Sequence, residues 1–126
     1  MLMLEITATK KAPQAIGPYS QAISTNGMVY TSGQIGLTPS GELVQGIEAQ
    51  TRQVLENLSE VLKASNSSLK QVIKTTIFLS DMEYFGIVNG IYAEFFGDHK
   101  PARSTVAVKT LPKDALVEIE CIALQN

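Results

Sequence analysis

Tryptophan is absent from this chain, and cysteine and histidine occur once each, as Cys121 and His99. One thiol cannot close an internal disulfide, and one thiol with one imidazole cannot build a Cys/His zinc site. Lysines and arginines are scattered, and the formal net charge is -2. Nucleic-acid binding rests on neutralising phosphates, so this balance argues against a nucleic-acid partner. No apolar run approaches the ~18 residues that suggest a membrane span, and no basic segment followed by an apolar one opens the chain. These absences give the expectation of a soluble cytoplasmic protein without a membrane partner. Charged residues are also sparse, at 17%, which suggests that part of the surface is covered by other subunits.

What is present reads as one domain over residues 1–126. Met3 to Thr9 suits a first short strand, and Pro13 to Tyr19, with two prolines and a glycine, an ordered loop. Gln21 to Thr25 and Met28 to Leu37 flank Asn26-Gly27, a pair that tolerates positive φ and signals a hairpin. Ile47, Thr51, Val54, Leu55, Leu58, Val61 and Leu62 recur at helical spacing, predicting a helix over Glu48 to Ala64. Val72 to Leu79 reads as a strand, and Tyr84 to Phe96 as a second helix with Tyr84, Ile87, Val88, Ile91, Tyr92 and Phe95 on its apolar side. Strands over Ala102 to Lys109 and Ala115 to Leu124 complete the order. The expected class is α+β, with both helices on one face of a sheet. The other face, exemplified by Val72, Lys74, Thr76 and Phe78, is too apolar to be wet and too polar to be a core, as expected of a homo-oligomer.

Arg103 follows Pro101 at the start of a strand, and Glu118 and Glu120 share one face of the next. Arginine offers a planar fork that matches a carboxylate. An arginine near a carboxylate able to hold a water suggests a site for a small organic acid, although from spacing alone a surface ion pair and two wet glutamates are the plainer readings. Gly33, in Ser32-Gly33-Gln34, either admits a close approach to the backbone or marks a bulge. Tyr19 either closes over a pocket or staples its loop. Asn89 reads as a buried structural amide, Cys121 as a small buried hydrophobe, and His99 as a solvated loop residue. No Ser-His-Asp set, P-loop or metal-ligand cluster is visible.

Several separated motifs nevertheless resemble the RidA/YjgF family of reactive-intermediate deaminases. They are Ala15-Ile16-Gly17-Pro18-Tyr19-Ser20-Gln21, Thr31-Ser32-Gly33-Gln34-Ile35, Val88-Asn89, Pro101-Ala102-Arg103-Ser104, and the run from Leu111 to Glu120. The resemblance implies a chorismate-mutase-like α+β fold, a homotrimer with clefts between subunits, and no metal or cofactor. The implied reaction is hydrolysis of 2-aminoacrylate and 2-iminobutanoate to 2-oxo acids and ammonia. By the same resemblance Arg103 holds the substrate carboxylate and Glu118 orients or activates water. Tyr19, Ser32, Gly33 and Asn89 line the cleft, and the backbone at Thr105 meets the imine end. Many active members carry cysteine at the position of Thr105; a backbone contact tolerates threonine, whereas a thiol role does not. The alternatives are a regulatory trimer that binds small carboxylates without turnover and, more remotely, a ribonuclease or translation inhibitor.

Overall fold

The computed structural model describes residues 3–126. Strand β1 (Glu5–Thr7) leads into β2 (Ala22–Thr25) and β3 (Met28–Thr31), which form a hairpin. Asn26 and Gly27 turn it with φ of 51° and 77°, the left-handed pair that matches the twist of the flanking strands. The long strand expected over Met28 to Leu37 is broken at Ser32-Gly33, and the short β4 (Gln34–Ile35) follows. Helix α1 (Ile47–Ala64) leads to β5 (Val72–Leu79), whose bounds match the expectation. Asp81 then accepts the Glu83 N–H at 2.9 Å and starts a tight turn over Met82–Tyr84. Helix α2 (Phe85–Phe96) follows and ends at Gly97, whose φ of 60° suits a residue without Cβ. The chain closes with β6 (Ala102–Ala107) and β7 (Val117–Leu124).

The strands form one mixed sheet in the order β1-β2-β3-β7-β5-β6, with β4 also paired to β7. Only β5 and β6 run parallel, and α2 makes the crossover between them. Both helices cover the same sheet face, so the α+β class is observed. Val54, Leu55, Leu58, Val61 and Leu62 of α1 and Val88, Ile91 and Tyr92 of α2 meet Ile77, Leu79, Val117, Ile119 and Cys121 in one core. Burying each large aliphatic side chain there contributes roughly 1.5–3 kcal/mol. Buried amides fix the edges of this layer. Asn57 Nδ2 donates to the Leu37 carbonyl at 2.9 Å, and Gln50 joins the Val44 carbonyl (3.0 Å) to the Leu116 N–H (2.8 Å).

Three expectations need correction. Val72 belongs to the core rather than the outer face, because a β-bulge between Val72 and Lys74 shifts the alternation and turns Ile73 outward. Ile87 is 48% exposed although its spacing placed it on the apolar side of α2. His99 is half-buried rather than solvated: its Nε2 lies 2.6 Å from the Val72 carbonyl, and its ring packs near Phe96.

The uncovered face is mixed, as expected. Ile6, Ile23, Tyr30 and Ile122 form one cross-strand row that continues through Lys74 to Ala102. Ile6 is 70% exposed and Tyr30 45%. Among the described residues no helix is long and apolar enough to cross a membrane.

Candidate active site

Arg103 projects from β6, an edge strand whose register follows its parallel pairing with β5. Its cross-strand partner is Thr75, and that of Thr105 is Ile77. Thr75 and Ile77 are fully buried under the helices, so Arg103 and Thr105 face the helix layer. The Arg103 guanidinium carbon sits 5.0 Å from the ring centre of Tyr92 and 5.7 Å from that of Phe85, both on α2. These distances are within cation–π range. Among the described residues the guanidinium makes no ion pair, so the surface salt bridge considered from sequence is not found. A groove of about 420 Å³ opens beside it, bounded by Asn89, Tyr92, Phe96, Lys100 and Pro101. Asn89 is half-buried and borders this groove, rather than sitting as a buried amide in the core. The Thr105 hydroxyl is buried without a hydrogen-bond partner among the described residues.

Glu118 occupies a different place. It lies on β7 opposite Ile35 of β4 and Phe78 of β5, facing away from the helices. Its side chain lies directly against the backbone of Gly33: a Cβ there would stand 2.7 Å from both Cδ and Oε2 of Glu118. The break in the β3–β4 segment therefore serves as a seat for this carboxylate. Ser32 beside it donates its hydroxyl to the Ser20 carbonyl at 2.6 Å, tying the seat to the preceding loop.

That loop is pinned by Gln21, whose buried amide donates to the carbonyls of Thr9 and Pro13 at 3.0 and 2.8 Å. Tyr19 packs its ring against Gly17 and accepts the Ile16 N–H at 3.4 Å, yet remains 48% exposed. It both staples the loop and edges a cavity of about 370 Å³ shared with Ser32, Gly33, Pro112, Glu118 and Glu120. The turn entering β7 holds Lys113 and Asp114 at φ 57° and 56°. Left-handed geometry at such residues costs roughly 1–2 kcal/mol each, and strain of this kind gathers at functional sites.

Burial pushes the Glu118 carboxyl above the usual glutamate range, and the like charge of Glu120 adds to the effect. Such a carboxylate holds a proton more readily than a solvated one, which suits a group that exchanges protons with a ligand or water. Burial also raises Tyr92, opposed by its hydrogen bond with Thr75 and by the Arg103 charge. Cys121 is pushed up to about 12 by burial, so its thiol is not a nucleophile. Among the described residues no group of three His, Cys, Asp or Glu side chains is placed to hold a metal ion.

The sequence-derived candidates thus form two clusters. Arg103, Asn89 and Thr105 belong to the helix side of the sheet, and Tyr19, Ser32, Gly33 and Glu118 to the opposite side. Within one chain Arg103 therefore does not partner Glu118 or Glu120, contrary to the pairing considered from sequence. Phe85, Thr75 and Tyr92 were not among the candidates. The available signal was two aromatics on α2 seven residues apart, which spacing alone assigns to a core.

The sequence profile described as endoribonuclease L-PSP matches residues 9–125. The mouse 2-iminobutanoate/2-iminopropanoate deaminase is 47% identical over 127 residues, spanning 99% of this chain and 94% of that protein. The Arabidopsis thaliana chloroplastic Reactive Intermediate Deaminase A is 52% identical, across 94% of this chain and 65% of that one. Among solved structures, E. coli TdcF with bound serine superposes with a TM-score of 0.93 at 41% identity, covering 97% of this chain and 99% of TdcF.

Proposed function

The chain belongs to the endoribonuclease L-PSP family, the RidA/YjgF group, and from that premise we propose that it hydrolyses 2-imino acids and their enamine tautomers to 2-oxo acids. The relatives named as 2-iminobutanoate/2-iminopropanoate deaminases and as a reactive intermediate deaminase support the reaction class. The observation that carries the reading is the division of the site: an arginine with no ion-pair partner among the described residues lies on one sheet face, and a glutamate seated on Gly33, its carboxyl raised by burial, on the other. Each half lacks what the other supplies. A homotrimer in which the Arg103 groove of one subunit closes against the Glu118 cavity of its neighbour completes the site, and it covers the exposed Ile6–Tyr30 row as well.

In this cleft the substrate carboxylate pairs with the Arg103 fork, which fixes the adjacent imine carbon. The protonated imine is already electrophilic, so positioning and one proton transfer carry much of the acceleration. Glu118 takes a proton from water as its oxygen bonds to the imine carbon, and the C=N bond becomes single. The same carboxyl returns the proton to nitrogen. The carbinol hydroxyl then gives its proton to Glu118 as the C–N bond breaks and the carbonyl forms, and the departing ammonia takes that proton, so one water is consumed per ammonium released. Thr105 contributes its backbone, a role that does not need a thiol. Gly33, Ser32, Tyr19 and Asn89 line the cleft. The ribonuclease activity in the family's description is less compatible with a net charge of -2 and basic residues scattered along the sequence.

The test generates 2-iminobutanoate with an amino-acid oxidase and traps it with semicarbazide. The protein lowers the trapped fraction, and Arg103→Ala abolishes that effect. Wild-type protein that binds 2-oxobutanoate but leaves the trapped fraction unchanged would instead favour a carboxylate-binding regulator. A monomer mass in solution would refute the shared cleft.

A further inference from the structure

We propose that Tyr92, fixed by Thr75 and assisted by Phe85, is the positioning residue that holds Arg103 ready for a carboxylate. The inference rests on the reading of Arg103 as a carboxylate anchor and extends it to residues outside the cleft motifs. A carboxylate-binding arginine faces two opposing demands. Its long side chain must be held, or ordering it opposes binding; yet an acidic partner that held it would occupy the fork the ligand needs. An aromatic face meets both demands, because it attracts the guanidinium through its π surface and leaves the N–H edge free. Arg103 has this environment, with Tyr92 at 5.0 Å and Phe85 at 5.7 Å.

Tyr92 is itself held from two sides. Its hydroxyl is 2.8 Å from Thr75 Oγ1, in a pair buried from solvent. Its ring packs against Phe96 with centres 4.4 Å apart. Thr75 is also the cross-strand partner of Arg103, so one residue fixes the strand register and the aromatic platform together. Burial keeps the phenol neutral across the physiological range, so the arginine meets a ring rather than a phenolate. The sequence places these residues on three elements, β5, α2 and β6, and only the parallel crossover brings them together.

The experiment compares Tyr92→Phe, Tyr92→Leu and Phe85→Leu by three measurements. These are 2-oxobutanoate affinity by calorimetry, the KM and kcat of imine hydrolysis, and the ¹⁵N–¹H signal of the Arg103 side chain, assigned by its loss in Arg103→Lys. Tyr92→Phe retains the ring, so Kd and KM stay within about threefold of wild type. Tyr92→Leu raises Kd and KM together by about five- to thirtyfold with kcat little changed, and Phe85→Leu raises them less. The ring-shifted Arg103 signal moves toward the random-coil position in Tyr92→Leu.

Unchanged Kd in folded Tyr92→Leu, or an Arg103 signal that is unshifted in wild type, overturns the proposal. If Tyr92→Leu does not fold, the decision passes to Phe85→Leu: a signal and Kd both unchanged there overturn it. A wild-type protein that binds no 2-oxo acid yet shows the ring shift, lost in Tyr92→Leu, would refute the anchor reading while supporting the positioning.

Discussion

The contact between Gly33 and Glu118 permits a test that separates function from stability. In Gly33→Ala the new Cβ would lie 2.7 Å from the Glu118 carboxylate, and ordinary contact begins at 3.4 Å, so the carboxylate must retreat by about 0.7 Å. What it meets is the far end of a flexible side chain, and Gly33 has no positive φ to defend. The change should therefore cost no more than about 1 kcal/mol of stability, at the lower end for overpacking. Displacing a catalytic group by this amount should lower kcat roughly 10- to 100-fold.

Gly36→Ala is the control. Its Cβ would fall 2.9 Å from the backbone Cα of Gln50 in α1, as well as from that residue's Cβ and Cγ. Relief there requires moving a helix, at roughly 1–3 kcal/mol, which lowers the melting temperature by roughly 4–12 °C. Activity per folded molecule should change little. Thermal melts and the imine-trapping assay, run on both variants, give the comparison. Wild-type kcat in Gly33→Ala at an unchanged melting temperature would refute the view that this glycine seats a working carboxylate.

Two further predictions concern titration. Because the folded-state value of Glu118 is raised, its ionisation opposes folding: the favourable contribution is complete below the ordinary glutamate value of 4.5 and is lost as pH rises through the folded value. Glu118→Gln should thus melt above wild type at pH 7, with the gap closing on acidification; a lower melting temperature or a pH-independent gap contradicts this. Cys121, buried and pushed up to about 12, should resist alkylation at pH 8 in the native protein and react on unfolding. Native-state labelling followed by mass spectrometry decides it, and rapid modification of folded protein would contradict the burial.

Local pattern carried much of the fold. The stripe in α1, the β-branched run of β5 and the Asn26-Gly27 turn each encode their element within a few residues. The site was less legible because its defining relations are not local. Alternation along β7 separates Glu118 from Ile119, but nothing in β6 alone says that Arg103 shares a face with Ile119 rather than with Glu118. Parallel pairing with β5 decides that. The bulge that draws Val72 into the core and the carbonyl that captures His99 are likewise products of packing. The motif match named candidate cleft residues but not the aromatic platform beneath the arginine, because Tyr92 and Phe85 have the composition of core.

The opposite-facing halves of the site also have a genetic meaning. Under the proposed assembly each cleft takes its arginine from one subunit and its glutamate from the next. Arg103→Ala and Glu118→Ala chains, each inert alone, would complement one another when co-assembled. With random mixing in equal amounts, about one quarter of the clefts receive an intact residue from both sides. A damaged allele would therefore harm only one of the two clefts that its subunit borders, and two different damaged alleles in one cell could restore what neither encodes.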